Sequence, residues 1–413
     1  MDEPKSVVSD GLLALLEYGI ESPVLTKAFP KDKLNDRLLH IQEWYEGVQD
    51  PTADGGTDTG SLILYKLWDH TSATLTRLIR ESRLNADIPK EGGVLLYLGG
   101  LSKCLVIGYK IIGEQRAPRY NIIAVIDNPK SAFDFWGAID QAGMGARNHL
   151  KRVLSTGHKI IVHRGVLVHV DRRSDIDVFG PSIDTLVLSE ILAQQVFESG
   201  EHEYQTALEI GCGSGFLTAA LAKHGRITKE LFAIDVNFHA VACTRRNVFN
   251  SDVSLNKQDT AQIYFINGTF SPTLLNRRFD LVVCNPPYIP TVPAEKGVFR
   301  GQGQDYFQAV GGTDLMKGVI TSTPEYLNPG GRLLLMTSSL SLEEAISCIP
   351  AGYNLSKPLE MAAEDGFEVI FDVEAVQNKP GWLAYLKMER GLIERNGVYY
   401  HRLHPLWIER PAQ

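Results

Sequence analysis

The residues best suited to chemistry stand at 279–290, FDLVVCNPPYIP. An apolar run, Leu281–Cys284, reads as a buried strand that delivers Asn285, Pro286, Pro287 and Tyr288 at its carboxyl end. Two consecutive prolines fix the backbone and remove two N–H donors, which leaves the carbonyls there to face a ligand. An amide or amine nitrogen on an sp² carbon is a poor nucleophile, because its lone pair is delocalised. If the Asn285 side-chain oxygen accepts one of its hydrogens and the Pro286 carbonyl the other, the lone pair turns toward an electrophile. The same contacts stabilise positive charge developing on that nitrogen. Tyr288 is placed to pack its ring on the planar group, with Pro287 beside it. Taken alone, the stretch also reads as a rigid Pro-Pro turn after a strand.

A second stretch is LEIGCGSGF, residues 208–216. Gly211, Gly213 and Gly215 fall where a buried strand turns into a helix, and a side chain there would keep backbone N–H groups away from a ligand. The spacing is not that of the dinucleotide fingerprint, since Phe216 stands where its third glycine belongs, and no GK[ST] ending follows. Asp235 closes the strand LFAID twenty-four residues after Gly211. An acidic residue there is placed to accept two hydrogen bonds from ribose hydroxyls. By itself it reads as a helix cap; paired with the glycine loop it reads as a nucleoside contact.

Other candidates are weaker. His163 and His169 could share a hairpin face as metal ligands, but no third ligand follows at suitable spacing; they read as strand positions and no metal is expected. Cys212 and Cys284 flank the glycine loop and the Asn285 segment without a histidine partner, which favours buried packing. Arg245-Arg246 reads as a solvated helix end, and Trp44, Trp68 and Trp136 as core of the N-terminal region.

The elements that must position these residues follow from periodicity. Short helices are predicted around Leu12–Leu16, Leu39–Tyr45 and 61–82, with a turn-rich connector at 49–60. Strands are predicted at Val94–Leu98, Cys104–Ile112 and Ile122–Ile126, and a helix start at Asp127-Asn128-Pro129. HKIIVHRGVLVHV, 158–170, predicts a hairpin about Arg164-Gly165. A helix carrying Val187, Leu188, Ile191, Leu192 and Val196 is capped by Ser182 or Asp184. Beyond it strands and helices alternate: strands at Ala207–Ile210, Leu231–Asp235, Ile263–Ile266, Asp280–Cys284, Arg332–Met336 and Val369–Val376. Helices are expected at Phe216–His224, Phe238–Phe249, Leu315–Tyr326 and Leu342–Cys348. That alternation specifies a parallel α/β sheet with helices on both faces and a ligand beyond its carboxyl edge. The domains are therefore 1–156 (α+β), 157–377 (the α/β sheet) and an unassigned amphipathic extension, 378–413, with a strand-like Val398–Arg402.

Together the three stretches resemble the class I S-adenosylmethionine-dependent methyltransferases, and within them the NPPY branch of amide and amine N-methyltransferases. NPPYIP is similar to the form in HemK-like enzymes, which methylate a glutamine side chain in peptide release factors. PSIDT (181–185) is similar to their P-x-x-D/E-T element, and GGTDL (311–315) with LNPGGR (327–332) to their G-G-x-x-G-L and L-x-P-G-G elements. The likeness covers about residues 160–376. It implies a Rossmann-like, doubly wound, seven-stranded sheet with one late antiparallel strand, and S-adenosyl-L-methionine as cofactor. It implies Glu209, Gly211, Gly213 and Gly215 around the methionine part, Asp235 on the ribose, and Asn285 and Pro286 on the target nitrogen. Asp184 and Thr185 would then lie beside the substrate. Where the family has an acidic residue for the adenine amino group, this chain reads Asn267-Gly268-Thr269-Phe270. The contact falls to Asn267, to backbone groups such as Gly268, or to neither. Residues 1–156 do not resemble the helical bundle with which bacterial release-factor enzymes hold their substrate.

Composition sets the outer limits. A chain of 413 residues with 44% hydrophobic and 22% charged residues is globular rather than disordered. Its net charge of −8 offers no broad cationic surface for nucleic acid. Five scattered cysteines make no disulfide framework, and neither a signal peptide nor a membrane span is predicted, which points to a cytoplasmic protein. The expected mechanism is direct displacement, with catalysis by orientation and hydrogen bonding. Three acceptors remain open: a protein glutamine side chain, a small metabolite with an amide, amine or guanidine nitrogen, and a nucleic-acid base, the last disfavoured by charge. A non-catalytic nucleoside-binding subunit is the fourth reading, opposed by the intact NPPY. The N-terminal domain is expected to recognise substrate or to form a homodimer.

Overall fold

The apolar, β-branched runs near the middle of the chain form strands, as their composition favours. In the computed structural model these are β1 (Glu91–Leu98), β2 (Lys103–Ile112) and β3 (Ala117–Asp127), followed by the hairpin β4 (His158–His163) and β5 (Val166–Asp171). The described residues are 91–98, 101, 103–112, 117–127, 158–164, 166–171, 174–176, 178–197, 203–251, 261–271, 276–291, 313–356, 367–371 and 380–412. The helices expected before residue 83, the helix start after Asp127, the three tryptophans Trp44, Trp68 and Trp136, and Gly311-Gly312 lie outside them.

Among the described residues, those up to Asp171 form one unit and those from Ser174 a second. The first is a five-stranded sheet in the order β3-β2-β1-β4-β5, parallel only between β1 and β4. The hairpin turns at Arg164, whose φ of 47° is left-handed. Because β4 pairs with β1, the break between units falls near residue 171 and not at 157. The hairpin register pairs His163 with Val166 and His169 with Ile160, which puts the two histidines on opposite faces. They cannot share a metal from the hairpin.

The second unit opens with α1 (Ile183–Leu192), capped by Ser182 and extended by a π-helical turn, Ala193–Phe197. Then come β6 (Tyr204–Ile210), α2 (Phe216–His224), β7 (Ile227–Asp235), α3 (Phe238–Asn250), β8 (Gln262–Asn267) and β9 (Phe279–Cys284). After them are α4 (Asp314–Thr321), α5 (Thr323–Tyr326), β10 (Leu327–Ser338), α6 (Leu342–Ser347), β11 (Asn354–Ser356) and β12 (Phe367–Ile370). The chain ends in α7 (Pro380–Glu389), β13 (Ile393–Arg395) and β14 (Val398–Glu409). The sheet order is β11-β14-β10-β9-β6-β7-β8, with β12 and β13 also on β14.

Strands β8, β7, β6, β9 and β10 run parallel and β14 antiparallel to β10. Between β6 and β9 the order reverses, and at such a reversal the helices leave to opposite sides and a crevice opens. Leu208, Ile210, Val282 and Cys284 turn to the face carrying α4 and α6. Glu209 turns the other way, toward α2. Each fully buried Val or Leu of these strands contributes roughly 1.5–3 kcal/mol of transfer free energy.

The late antiparallel strand comes from the extension after residue 378, so that segment is integral to the sheet. Its Pro405 faces Met336 of β10 and lies between the stretches that β11 and β12 pair with, where a missing donor interrupts neither register.

Candidate functional site

Parallel pairing carries the ends of four strands to one edge. Ile210 is level with both Cys284 and Ile234, and Asp235 with Asn267. Gly211, Asp235, Gly268 and Asn285 therefore leave adjacent strands side by side, at interstrand spacings of about 4.8 Å.

The glycine loop is closed on itself by backbone. Gly211, Gly213 and Gly215 all have positive φ, at 75°, 52° and 82°. The Gly211 and Cys212 amides donate to the Ile234 carbonyl at 2.8 and 3.1 Å, and the Gly215 amide to the Cys212 carbonyl at 2.7 Å. Gly215 is confined by α3, since a β-carbon there would lie 2.6 Å from Thr244 Cα. Thr244 Oγ1 donates to the Gly213 carbonyl and Asn247 Nδ2 to the Ser214 carbonyl, which clamps the loop to α3. At Gly211, by contrast, a β-carbon would meet nothing within 4 Å.

Asp235 belongs to the same cluster. Its Oδ2 accepts from the Gly213 amide at 2.9 Å and its Oδ1 from the Asn237 amide at 2.8 Å. Burial raises its pKa, opposed by those backbone donors and by Val236. The Asn267 Nδ2 group donates to the carbonyls of Asp235 and Val236, and the Gly268 amide to the Asp235 carbonyl, so these residues tie β8 to β7. Glu209 accepts from Thr218 Oγ1 of α2. Burial pushes its carboxyl up to about 8 despite that hydroxyl.

Across the reversal the arrangement differs. Asn285 Nδ2 donates to Thr185 Oγ1 at 3.2 Å, while its Oδ1 is buried with no hydrogen-bond partner among the described residues. No backbone N–H among the described residues takes the Pro286 carbonyl. Tyr288 Oη donates to Asp184 Oδ2 at 2.9 Å. Burial, and then the Asp184 carboxylate, hold the Tyr288 hydroxyl well above its usual range, so it stays a donor. Pro287 is half-buried in the same turn. Trp382 of α7, itself buried, donates from Nε1 to the Pro290 carbonyl at 2.7 Å, fixing the far end of the loop.

The structure thus gathers Gly211, Gly213, Gly215, Asp235, Asn267 and Gly268 into one bonded set, and Asn285, Tyr288, Asp184 and Thr185 into another. Glu209 is sealed beneath α2. The thiols of Cys212 and Cys284 are pushed up by burial, which fits packing. Arg246 is more than a solvated helix end: it forms a two-pronged ion pair with the buried Asp175 at 2.7 and 2.9 Å. That pair holds the segment whose Phe179 carbonyl accepts from the Ser214 amide. Sequence reasoning missed Thr218, Thr244, Asn247 and Trp382. Thr244 and Asn247 share a helix face at i, i+3 spacing, a faint signal at most.

A family model described as "Methyltransferase small domain" matches residues 181–300. The chain is 29% identical over 156 residues to a release factor glutamine methyltransferase of Geobacter sulfurreducens, covering 36% of this chain and 50% of that protein. It is 31% identical over 169 residues to mouse methyltransferase HEMK2, covering 41% of this chain and 75% of that protein. With human methyltransferase HEMK2 the identity is 29% over 202 residues, 49% of this chain and 91% of that protein. The chain spans half the length of the Geobacter enzyme and most of the mammalian ones.

Proposed function

The chain belongs to the HemK-like branch of the class I S-adenosylmethionine-dependent methyltransferases, and on that premise we propose that it methylates the side-chain amide of a glutamine in a protein acceptor. The observation that carries this reading is the Asn285 Oδ1, buried with no hydrogen-bond partner among the described residues, on the residue that precedes the Pro286 carbonyl at the end of β9. A buried acceptor left empty costs about 1–3 kcal/mol, which a primary amide of the substrate would recover. Two acceptors side by side match the two hydrogens of one planar NH₂ group. The relatives named as glutamine methyltransferases favour a polypeptide amide among nitrogens of that shape.

The cofactor fits this chain's own features. The bare backbone at Gly211 borders open space. Each Asp235 oxygen keeps a second lone pair beyond the amides of Gly213 and Asn237, for the ribose hydroxyls. We assign Gly211 and Gly213 to the methionine part, and the β7–β8 connection at Asn267 and Gly268 to the adenine side. Glu209 supports the loop from below. Bound there, S-adenosylmethionine supplies a methyl group on a positively charged sulfur.

Asn285 Oδ1 and the Pro286 carbonyl orient the acceptor amide, draw electron density onto its nitrogen and stabilise the charge that develops. Neither has to be a strong base, because the nitrogen becomes acidic only once substituted. Tyr288 lies against the planar group. Acceptor choice we assign to residues 1–156, with self-association as their other role. None of the five cysteines forms a disulfide and no described helix is long and apolar enough to cross a membrane; we place the protein in the cytoplasm.

The test is to incubate the purified chain with methyl-labelled cofactor and a total extract, then separate protein, RNA/DNA and small molecules. Label is expected in protein, as N5-methylglutamine after digestion. Label confined to nucleic acid or to metabolites would overturn the assignment.

A further inference from the structure

We propose that Asp184 and Thr185 are positioning residues that decide which end of the Asn285 carboxamide faces the acceptor nitrogen. This rests on the reading above that Asn285 Oδ1 accepts a hydrogen from the substrate amide. The oxygen and nitrogen of a carboxamide have nearly the same size, so packing alone hardly distinguishes the two orientations; the hydrogen-bond partners do. In one orientation Oδ1 meets the incoming N–H. In the other an NH₂ group opposes an NH₂ group, and the site cannot orient its substrate.

At Asn285 the deciding partner is the Thr185 hydroxyl, which has one hydrogen to give and lone pairs to offer. Its Oγ1 donates to Asp184 Oδ1 at 3.3 Å. With that hydrogen committed, Thr185 presents only a lone pair to Asn285, which selects the Nδ2 end at 3.2 Å and sends Oδ1 to the opposite side. Asp184 is well suited to fix the hydroxyl. It is 5% exposed, and its Oδ1 also accepts from the Thr185 amide at 2.7 Å and from Ser182 Oγ. Its Oδ2 takes the Tyr288 hydroxyl at 2.9 Å, so one carboxylate orients both side chains of the NPPY turn that face the acceptor. Asp184 and Thr185 open α1, and Asn285 and Tyr288 follow β9. The contact therefore joins residues 100 and 104 positions apart, and a helix start sets the geometry of a strand end.

Thr185→Val keeps the shape and removes the hydroxyl. With a purified release factor as acceptor, it is expected to lower kcat about 10- to 100-fold, less than the roughly 100- to 1,000-fold for losing a direct transition-state contact because Asn285 itself remains. Cofactor Kd, acceptor KM and thermal midpoint should stay within about twofold or a few degrees of wild type. Thr185→Ser should restore kcat to within about threefold, which a purely structural methyl contact would not explain. A Thr185→Val enzyme at wild-type kcat overturns the inference while leaving the methyl-transfer reading intact. A wild-type chain that transfers nothing to a protein glutamine overturns the reading itself. Neutron diffraction of the wild-type crystal decides the orientation independently of activity. The Thr185 hydroxyl deuteron is expected on Asp184 and the Asn285 ND₂ group on Thr185. A deuteron running from Thr185 to Asn285 Oδ1 would overturn it.

Discussion

On the glycine-loop side of the crevice, the polar groups bind one another: Gly213 to Asp235, Asn267 to the Asp235 and Val236 carbonyls, Thr244 and Asn247 to the loop carbonyls. On the Asn285 side the bonding is lopsided, with Nδ2 satisfied by Thr185 and Oδ1 buried with no partner among the described residues. The first half holds its shape by internal bonds and offers spare lone pairs. The second keeps a buried acceptor empty, at a cost of about 1–3 kcal/mol that a bound ligand would relieve. Binding and chemistry should therefore separate cleanly when each half is damaged.

The largest effect is expected at the open half. Asn285→Ala should lower kcat at least about 100-fold while cofactor Kd moves less than about twofold; a parallel loss of both, by steady-state assay and calorimetry, would mean the halves are one unit. Asp235→Ala should do the reverse, weakening cofactor binding about 10- to 100-fold, as expected for charge-assisted hydrogen bonds. Its kcat at saturating cofactor should change only a few-fold. Gly215→Ala would drive a β-carbon against the Thr244 backbone at φ +82°. It should destabilise the fold by about 2–4 kcal/mol in denaturant melts, from overpacking plus left-handed strain; a neutral result would show that α3 does not clamp the loop.

A pH effect distinguishes the halves more gently. Glu209 keeps its proton to about 8 in the fold, against an ordinary value of 4.5 when unfolded. Between those values the native state binds the extra proton, so stability is highest below the lower one and declines as pH rises across the window. Asp235, also raised, acts with the same sign. Glu209→Gln should flatten that decline in thermal midpoints measured from about pH 5 to pH 8; an unchanged slope would assign it to other groups. The smallest effect is expected at the loop's far end. Trp382→Phe removes the donor to Pro290 and should cost about 1 kcal/mol with a few-fold drop in kcat. Unaltered kcat would make α7 a structural cover only.

What could be read from the sequence was whatever sits contiguously at a strand end. Gly211–Gly215, Asp235 and Asn285–Tyr288 each follow an apolar run that must be a buried strand, so type, spacing and position spoke together. What could not be read depends on distant partners. Thr185 meets Asn285, and Asp175 meets Arg246, only through the fold. Of the strand β14 only the first part, Val398–Arg402, was strand-like in the sequence: His401, Arg402, His404 and Pro405 interrupt the apolar pattern, although His401 and Leu403–Ile408 are buried. Its place between β10 and the strands β11 and β12, and the burial of Leu406 and Ile408 in the core with Met316 and Val319, are set by distant segments that no local pattern announces.

The central claim is that the acceptor amide is bound by the open half. The most direct measurement is a crystal structure of the chain with S-adenosylhomocysteine and a glutamine-bearing acceptor peptide. The glutamine nitrogen should lie about 2.7–3.2 Å from both Asn285 Oδ1 and the Pro286 carbonyl. A glutamine amide seated elsewhere, with Asn285 Oδ1 bonded to the protein or to water, would contradict it.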